Sequence, residues 1–437
     1  MAVADKGMAL GLRALTALAG SDVLDRLGLR DRAERAVNGA TKGGFKAASS
    51  AGRTFQRVSR NGKPARQSTG VRSDLFDLTP DDEQAMMREA VGSFAEKRFR
   101  PAALDADAAC EPPADLMSQA NELGITMLGV PEELGGALSE RSAVTSALVT
   151  EALARGDMGL ALAALSPAAV ATAIGLWGDS GQQGTYLPEL TGDDVPAGAL
   201  AIHEPHALFD PFELKTTATR TDAGFTLEGE KSLVARGADS ELFVIGASLD
   251  DRPALFIVEA ATQGVLVEPQ PAMGLRPAAT ANLKLAGVHV PAEALLGEGD
   301  PDVYADCIRL GRIAWSALAV GTAQAVADYV VPYVNERIAF GEPISHRQAV
   351  AFKVADMATE LEGMRLVMLR AASRADQGLD FARESALARR LVAQKGMQIG
   401  SDGVQLLGGH GYIKEHPVER WYRDLRAAGL VEGGVLV

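Results

Sequence analysis

The stretch LFVIGASLDDRPALFIV, residues 242–258, holds two short apolar runs, Leu242–Ile245 and Leu255–Val258. Asp250 and Asp251 stand between them, as a hairpin turn requires. A third run, Gly264–Val267, follows, and Leu283, Leu285, Val288 and Val290 then fall near alternating positions with Gly287 among them. The middle of the chain therefore reads as antiparallel β structure. Outward on both sides the pattern changes. Before it, Thr79-Pro80-Asp81-Asp82 is a helix start, with Thr as cap, Pro in the first position and acids in the first turn. Met87, Val91 and Phe94 then share one helical face. After it, residues 303–426 return to long helical periodicity with few glycines.

Helices, then strands, then helices, without βαβ alternation, predicts a mainly α protein with a central β domain, an α+β chain, and excludes a parallel Rossmann sheet. No GxGxxG joins a strand to a helix, and there is no Walker A motif. Four zones follow: a basic N-terminal extension over 1–72, an N-terminal α-helical domain over 73–195, a middle antiparallel β domain over 196–297 and a C-terminal helical bundle over 298–437. Residues 158–178 are free of charge and long enough for a membrane span. Pro167 divides them, so two buried helices meeting at Ser166–Pro167 are expected.

The 437 residues carry a net charge of −14. Residues 1–70 hold 13 Lys and Arg against five Asp and Glu, so the head stands at +8 and the rest at −22. An acidic body excludes nucleic acid as its partner. Within the head, residues 42–66 contain seven basic residues and no acidic one. Drawn as a helix, Lys46, Arg53, Arg57 and Arg60 cluster opposite Ala47, Ala48, Ala51, Phe55 and Val58. Such a segment suits peripheral contact with an anionic membrane or an acidic partner groove; a solvated leader is the plainer reading. Its acids, Asp5 through Glu34, argue against a transit peptide. The two cysteines, Cys110 and Cys307, have no metal or redox spacing, which indicates no metal site and a reducing compartment. A cytoplasmic protein is expected, with the basic head as its means of membrane-peripheral contact.

The C-terminal third carries QLLGGHGY (405–412), PVERWYRD (417–424) and Val431-Glu432-Gly433, with NERIAFGEPI (335–344) and QAV (348–350) upstream. Earlier come YLPELTG (186–192), Glu204-Pro205, Gly229-Glu230-Lys231 and Val290-Pro291. In this order and spacing, over residues 75–434, the chain resembles the acyl-CoA dehydrogenase family. The resemblance implies an α domain, a β domain and a four-helix bundle, with FAD between the last two and completed by a neighbouring subunit. It implies removal of hydrogens from Cα and Cβ of an acyl-CoA thioester, with hydride passing to flavin N5 and an electron-transfer protein as acceptor. A homo- or hetero-oligomer follows from the shared cofactor.

By that resemblance Glu432 is the base, and its own N–H helps hold the thioester oxygen. Its loop, AAGLV (427–431) before it and Gly433–Gly434 after it, offers apolar walls suited to a base near neutral pH. Some relatives place the base on the first bundle helix, where this chain has Gly311. Arg312 matches a residue that orients the active-site loop or the substrate. Arg337 and Phe340 match contacts to a neighbouring subunit's FAD, Gln348 belongs to the same segment, and Gln405, Gly408 and Gly409 match its adenine-ribose end. Without the family, Gly408–Gly411 is a plain helix stop.

The flavin side departs from the family. Its usual Thr before Glu-Pro is His203, which retains a hydrogen-bonding ring. A Gly-Ser-Asp reads Leu208-Phe209-Asp210, and a Trp-Ile-Thr reads Leu233-Val234-Ala235. After Glu432-Gly433 the usual Thr is Gly434. These losses keep open a second expectation, a non-catalytic subunit that binds beside an active relative.

Overall fold

A computed structural model describes residues 79–138 and 140–437. The basic extension, its amphipathic segment and the membrane contact assigned to residues 42–66 lie outside the described residues.

Helices α1 (Asp82–Phe94), α2 (Arg100–Ala109) and α3 (Ala114–Glu122) open the fold, with a π-helical turn, Ala95–Phe99, joining the first two. The cap of α1 is Asp81, not Thr79. Its carboxylate accepts from Gln84 N at 2.8 Å, and the Gln84 side chain accepts from Asp81 N at 3.2 Å. This reciprocal capping box satisfies two amide donors and fixes the start.

Helices α4 (Ala143–Gly156), α5 (Met158–Trp177) and α6 (Ser180–Leu190) complete the first layer. The break expected at Pro167 is absent, and α5 is one helix of 20 residues with Pro167 inside it. Proline removes a ladder bond and costs about 3 kcal/mol in a helix interior. Here every residue from Met158 to Ile174 is buried, which outweighs that cost, and Ser166 Oγ donates to Gly198 O of the adjoining strand at 2.6 Å. Among the described residues α5 is the one helix long and apolar enough to cross a membrane, and it is a core helix of the protein.

Strands β1 (Gly198–Ala201), β2 (Thr217–Thr221), β3 (Gly224–Val234), β4 (Leu242–Leu249), β5 (Arg252–Glu259), β6 (Val265–Pro269), β7 (Ala281–Val290) and β8 (Leu295–Leu296) form one sheet in the order β6-β7-β3-β2-β4-β5-β8, with β1 also on β4. The expected antiparallel pairing holds for most of it, including the Asp250–Asp251 hairpin, where both residues take positive φ and Leu249 pairs with Arg252. The sheet is nevertheless mixed, because β1 and β2 both run parallel to β4. Gly287, at φ 65°, lies at the irregularity where β7 passes β3. The continuous apolar run of β4 has a physical reason: Leu242 and Val244 join the helical core, while Phe243 and Ile245 pack into the sheet's own core. A strand buried on both faces carries no polar alternation.

The bundle is built on α7 (Pro301–Glu336), α8 (Gln348–Asp376), α9 (Ala382–Leu407) and α10 (Val418–Leu425). Trp315 and Ala317–Val320 of α7 are fully buried against the other layers. The PVERWYRD segment ties α10 to the first layer. Arg420 bonds Asp157 at 3.0 Å, both fully buried, and Asp157 also caps α5 through Leu160 N. Arg423 bonds Asp107 and Glu419, and Asp424 accepts from Leu275 N at 2.6 Å.

Candidate functional site

Beyond α10 a short turn, Ala427–Gly429, leads into the segment that carries Glu432. That segment is held on several sides. Trp315 Nε1 donates to Gly433 O at 2.7 Å, and Gly434 N donates to Leu200 O at 3.1 Å. Gly433 has φ 81°, and a Cβ there would lie 2.9 Å from Ile202 Cβ, so only glycine fits. A Cβ at Gly311 would lie 3.3 Å from Val435 O, so the segment passes close over α7.

Glu432 is 9% exposed. Its Oε1 accepts from Arg312 Nε at 3.2 Å and Nη2 at 3.1 Å, and Arg389 Nη2 stands 3.8 Å away. The apolar surroundings expected for this carboxylate are therefore replaced by two guanidiniums. Arg389, which the sequence reading missed, had a detectable signal. Ser385, Ala388, Val392 and Gly396 mark the buried face of α9, and their spacing puts Arg389 on that face while Arg390 points outward.

His203 follows β1 and is buried, its ring edge-on to Phe209 with centroids 4.8 Å apart. Its Nδ1 is buried without a hydrogen-bond partner. Burial first, and then Arg389, Lys231 and His206, pull the imidazole down to about 4, so it is neutral at pH 7. Next to it Glu204 and Lys231 form a fully buried pair at 2.8 Å. Burial pushes the Glu204 carboxyl up, but Lys231 and the amides of Lys215 and Thr216 outweigh it and hold the group down to about 2. Burial lowers Lys231 to about 8, which leaves it charged at pH 7. Leu233 sits at φ 55°, with its N–H given to Gln270 Oε1 at 2.7 Å.

Arg337, Phe340, Gln405, Gly408 and Gly409 do come together, in a groove of about 930 Å³ at the far end of the bundle. Gln348 opens α8 one residue before Ala349, which lines the groove. Arg347, Lys353 and His410 add further basic groups. Gly408 ends α9 at φ 59°, and a Cβ at Gly408 or Gly409 would meet nothing within 4 Å. Phe340 is 97% exposed, and the Arg347 guanidinium lies 5.9 Å from its ring centroid. From Arg389 to Gln405 the helix α9 climbs about 24 Å at 1.5 Å per residue. The site residues thus fall into two places, Glu432 with Arg312 and His203 near one end, and the basic groove at the other. Among the described residues no group of His, Cys, Asp or Glu could hold a metal ion.

Three family models for acyl-CoA dehydrogenases match in succession: the N-terminal domain over residues 81–194, the middle domain over 199–288 and the C-terminal domain over 302–434. The chain is 33% identical over 364 residues to a Bacillus subtilis (strain 168) acyl-CoA dehydrogenase, covering 80% of this chain and 94% of that one. The solved butyryl-CoA dehydrogenase of Megasphaera elsdenii superposes with a TM-score of 0.75 at 29% identity, over 81% of this chain and 95% of that one. An FAD complex of PigA gives a TM-score of 0.75 at 25% identity, over 81% of this chain and 94% of that one.

Proposed function

The chain belongs to the acyl-CoA dehydrogenase family, and from that premise we propose that it dehydrogenates an acyl-CoA thioester at Cα and Cβ with Glu432 as the base. The observation that carries this reading is a carboxylate held on a buried, glycine-bounded segment by Arg312 and Trp315.

The residues fit FAD. The unpartnered Nδ1 of His203 gives the flavin end a buried polar atom awaiting a partner. The basic groove with open Gly408 and Gly409 suits a pyrophosphate and its ribose, with Arg337 as a forked phosphate donor and Phe340 as an apolar wall. When bound, FAD supplies the two-electron acceptor for the hydrogen that leaves Cβ.

Both nearest guanidinium contacts fall on Glu432 Oε1, which leaves Oε2 to take the α-proton. Arg312 orients the carboxylate. The Glu432 N–H serves the thioester oxygen as negative charge develops there. Lys231 and Glu204 lock the end of β1 to β3 and so fix His203. The groove and the carboxylate stand at opposite ends of the bundle, and Phe340 projects into solvent. Both features support an oligomer in which Arg337 and Phe340 serve a neighbour's cofactor. An electron-transfer protein is the proposed acceptor.

Glu432→Gln tests the reading. Gln keeps the volume and the backbone donor but cannot take the proton. Losing a positioned base costs about 10²–10⁴ in rate. Anaerobic flavin bleaching by a panel of acyl-CoAs should occur in the wild type and stop in Glu432→Gln, with flavin content unchanged. Equal bleaching by both proteins would remove Glu432 from the role.

A further inference from the structure

The loop bearing Glu432 has a third hold besides Trp315 and Leu200, and it comes from α9. Arg389 is 9% exposed, and its guanidinium spreads over the loop. Nη1 donates to Ala428 O, Nη2 donates to Val431 O at 2.6 Å, and Nη2 also faces Glu432 Oε1 at 3.8 Å. One planar group therefore takes a carbonyl from the turn, the carbonyl just before Glu432, and the edge of the carboxylate itself. A lysine could not reach all three, because its ammonium is a point donor on a flexible stem. A buried guanidinium is destabilising unless its donors are satisfied. These carbonyls and Oε1 supply that satisfaction. Arg389 is also the foremost neighbouring charge acting on His203.

We propose that Arg389 is a positioning residue for Glu432, acting on the backbone where Arg312 acts on the carboxylate: it fixes the Ala427–Glu432 loop so that the carboxylate is presented in one geometry. This rests on the reading of Glu432 as the base. A misplacement of about 1 Å in a reacting group costs about 10²-fold in rate. The effect should therefore fall on kcat rather than on substrate binding.

The test compares flavin-loaded wild type, Arg389→Lys and Arg389→Met. Backbone hydrogen exchange over residues 427–434 reads the anchor without any turnover. Arg389→Met should speed exchange there at least tenfold and leave the middle of α7 unchanged, with Arg389→Lys between the two. Turnover is then measured with the acyl-CoA that wild type oxidises fastest and with its α-deuterated form. Arg389→Met should lose about 10²-fold in kcat, keep KM within about threefold, and show a larger α-deuterium isotope effect. Arg389→Lys should recover at least tenfold of the loss. Unchanged exchange in Arg389→Met overturns the anchor. So does a loss in which kcat and KM move together, the isotope effect stays fixed and lysine rescues nothing. If Arg389→Met does not fold, Arg389→Lys carries both readouts against wild type. If wild type oxidises no acyl-CoA, the base reading fails, while the exchange data still decide whether Arg389 holds the loop.

Discussion

Replacing Lys231 by Met should expose how much the β domain depends on one buried charge pair. Lys231 is fully buried, Glu204 nearly so, and their atoms stand 2.8 Å apart. At an effective dielectric of about 20 the attraction is of order 6 kcal/mol, and desolvation of both groups offsets much of it. The net effect of truncation is a different quantity. Met fills the space of the lysine stem but leaves the Glu204 carboxylate buried with the Lys215 and Thr216 amides and the His206 ring, whose Nε2 lies 3.4 Å from Oε2. Removing one partner of a buried pair costs about 3–5 kcal/mol. The protonation equilibrium gives a similar figure. A carboxyl held at about 2 instead of 4.5 contributes roughly 3 kcal/mol at pH 7.

The sign follows from the same shift. A folded-state value below the unfolded one contributes stability that is present above about pH 4.5 and lost as pH falls toward 2. In Lys231→Met the carboxyl has lost its cation and prefers the neutral form, so the penalty should be largest at pH 7 and shrink toward pH 4.5. Denaturant unfolding of wild type, Lys231→Met, Glu204→Gln and the double variant, each at pH 7 and pH 5, measures this. The cycle should give a coupling energy of about 2 kcal/mol or more. A single-variant cost below about 1 kcal/mol at pH 7, or strictly additive variants, would refute the argument.

Gly433→Ala should cost about 1–3 kcal/mol in stability, because it puts a Cβ at φ 81° and 2.9 Å from Ile202 Cβ. It should also cut flavin bleaching at least tenfold, since the strain falls next to Glu432. Asp424 should behave in the opposite sense to Glu204. Burial and the neighbouring Asp157 push it up to about 8, so its contribution to wild-type stability falls as pH rises from about 4 to 8. Asp424→Asn keeps an acceptor for Leu275 N and removes that slope, which unfolding midpoints across the pH range will show.

Some of this was legible in the sequence because it is periodic or local. The Asp250–Asp251 hairpin, the strands of residues 242–267 and the return to helix after 303 all carry their own short-range signals, and the domain order followed from them. Local signals failed where tertiary contacts decide. Pro167 reads as a break, yet burial along both sides of α5 carries the helix through it. Thr79 reads as a cap, yet Asp81 with Gln84 closes a better box. Parallel pairing of β1 and β2 with β4 leaves no mark on either strand, since it is made by residues far apart in the chain. The site divides in the same way. Glu432, Arg312 and the glycine-rich groove were marked by motifs, and the structure brings Arg312 to within 3.1 Å of Glu432 and gathers Arg337, Phe340, Gln405, Gly408 and Gly409 at one groove. The ionic surroundings of Glu432 were not marked, because Arg389 lies 43 residues upstream on a helix whose other arginines, Arg383 and Arg390, are solvent-facing. A motif names the group that reacts. What holds that group in place comes from whichever element packs behind it, and for Glu432 that element is the buried face of α9.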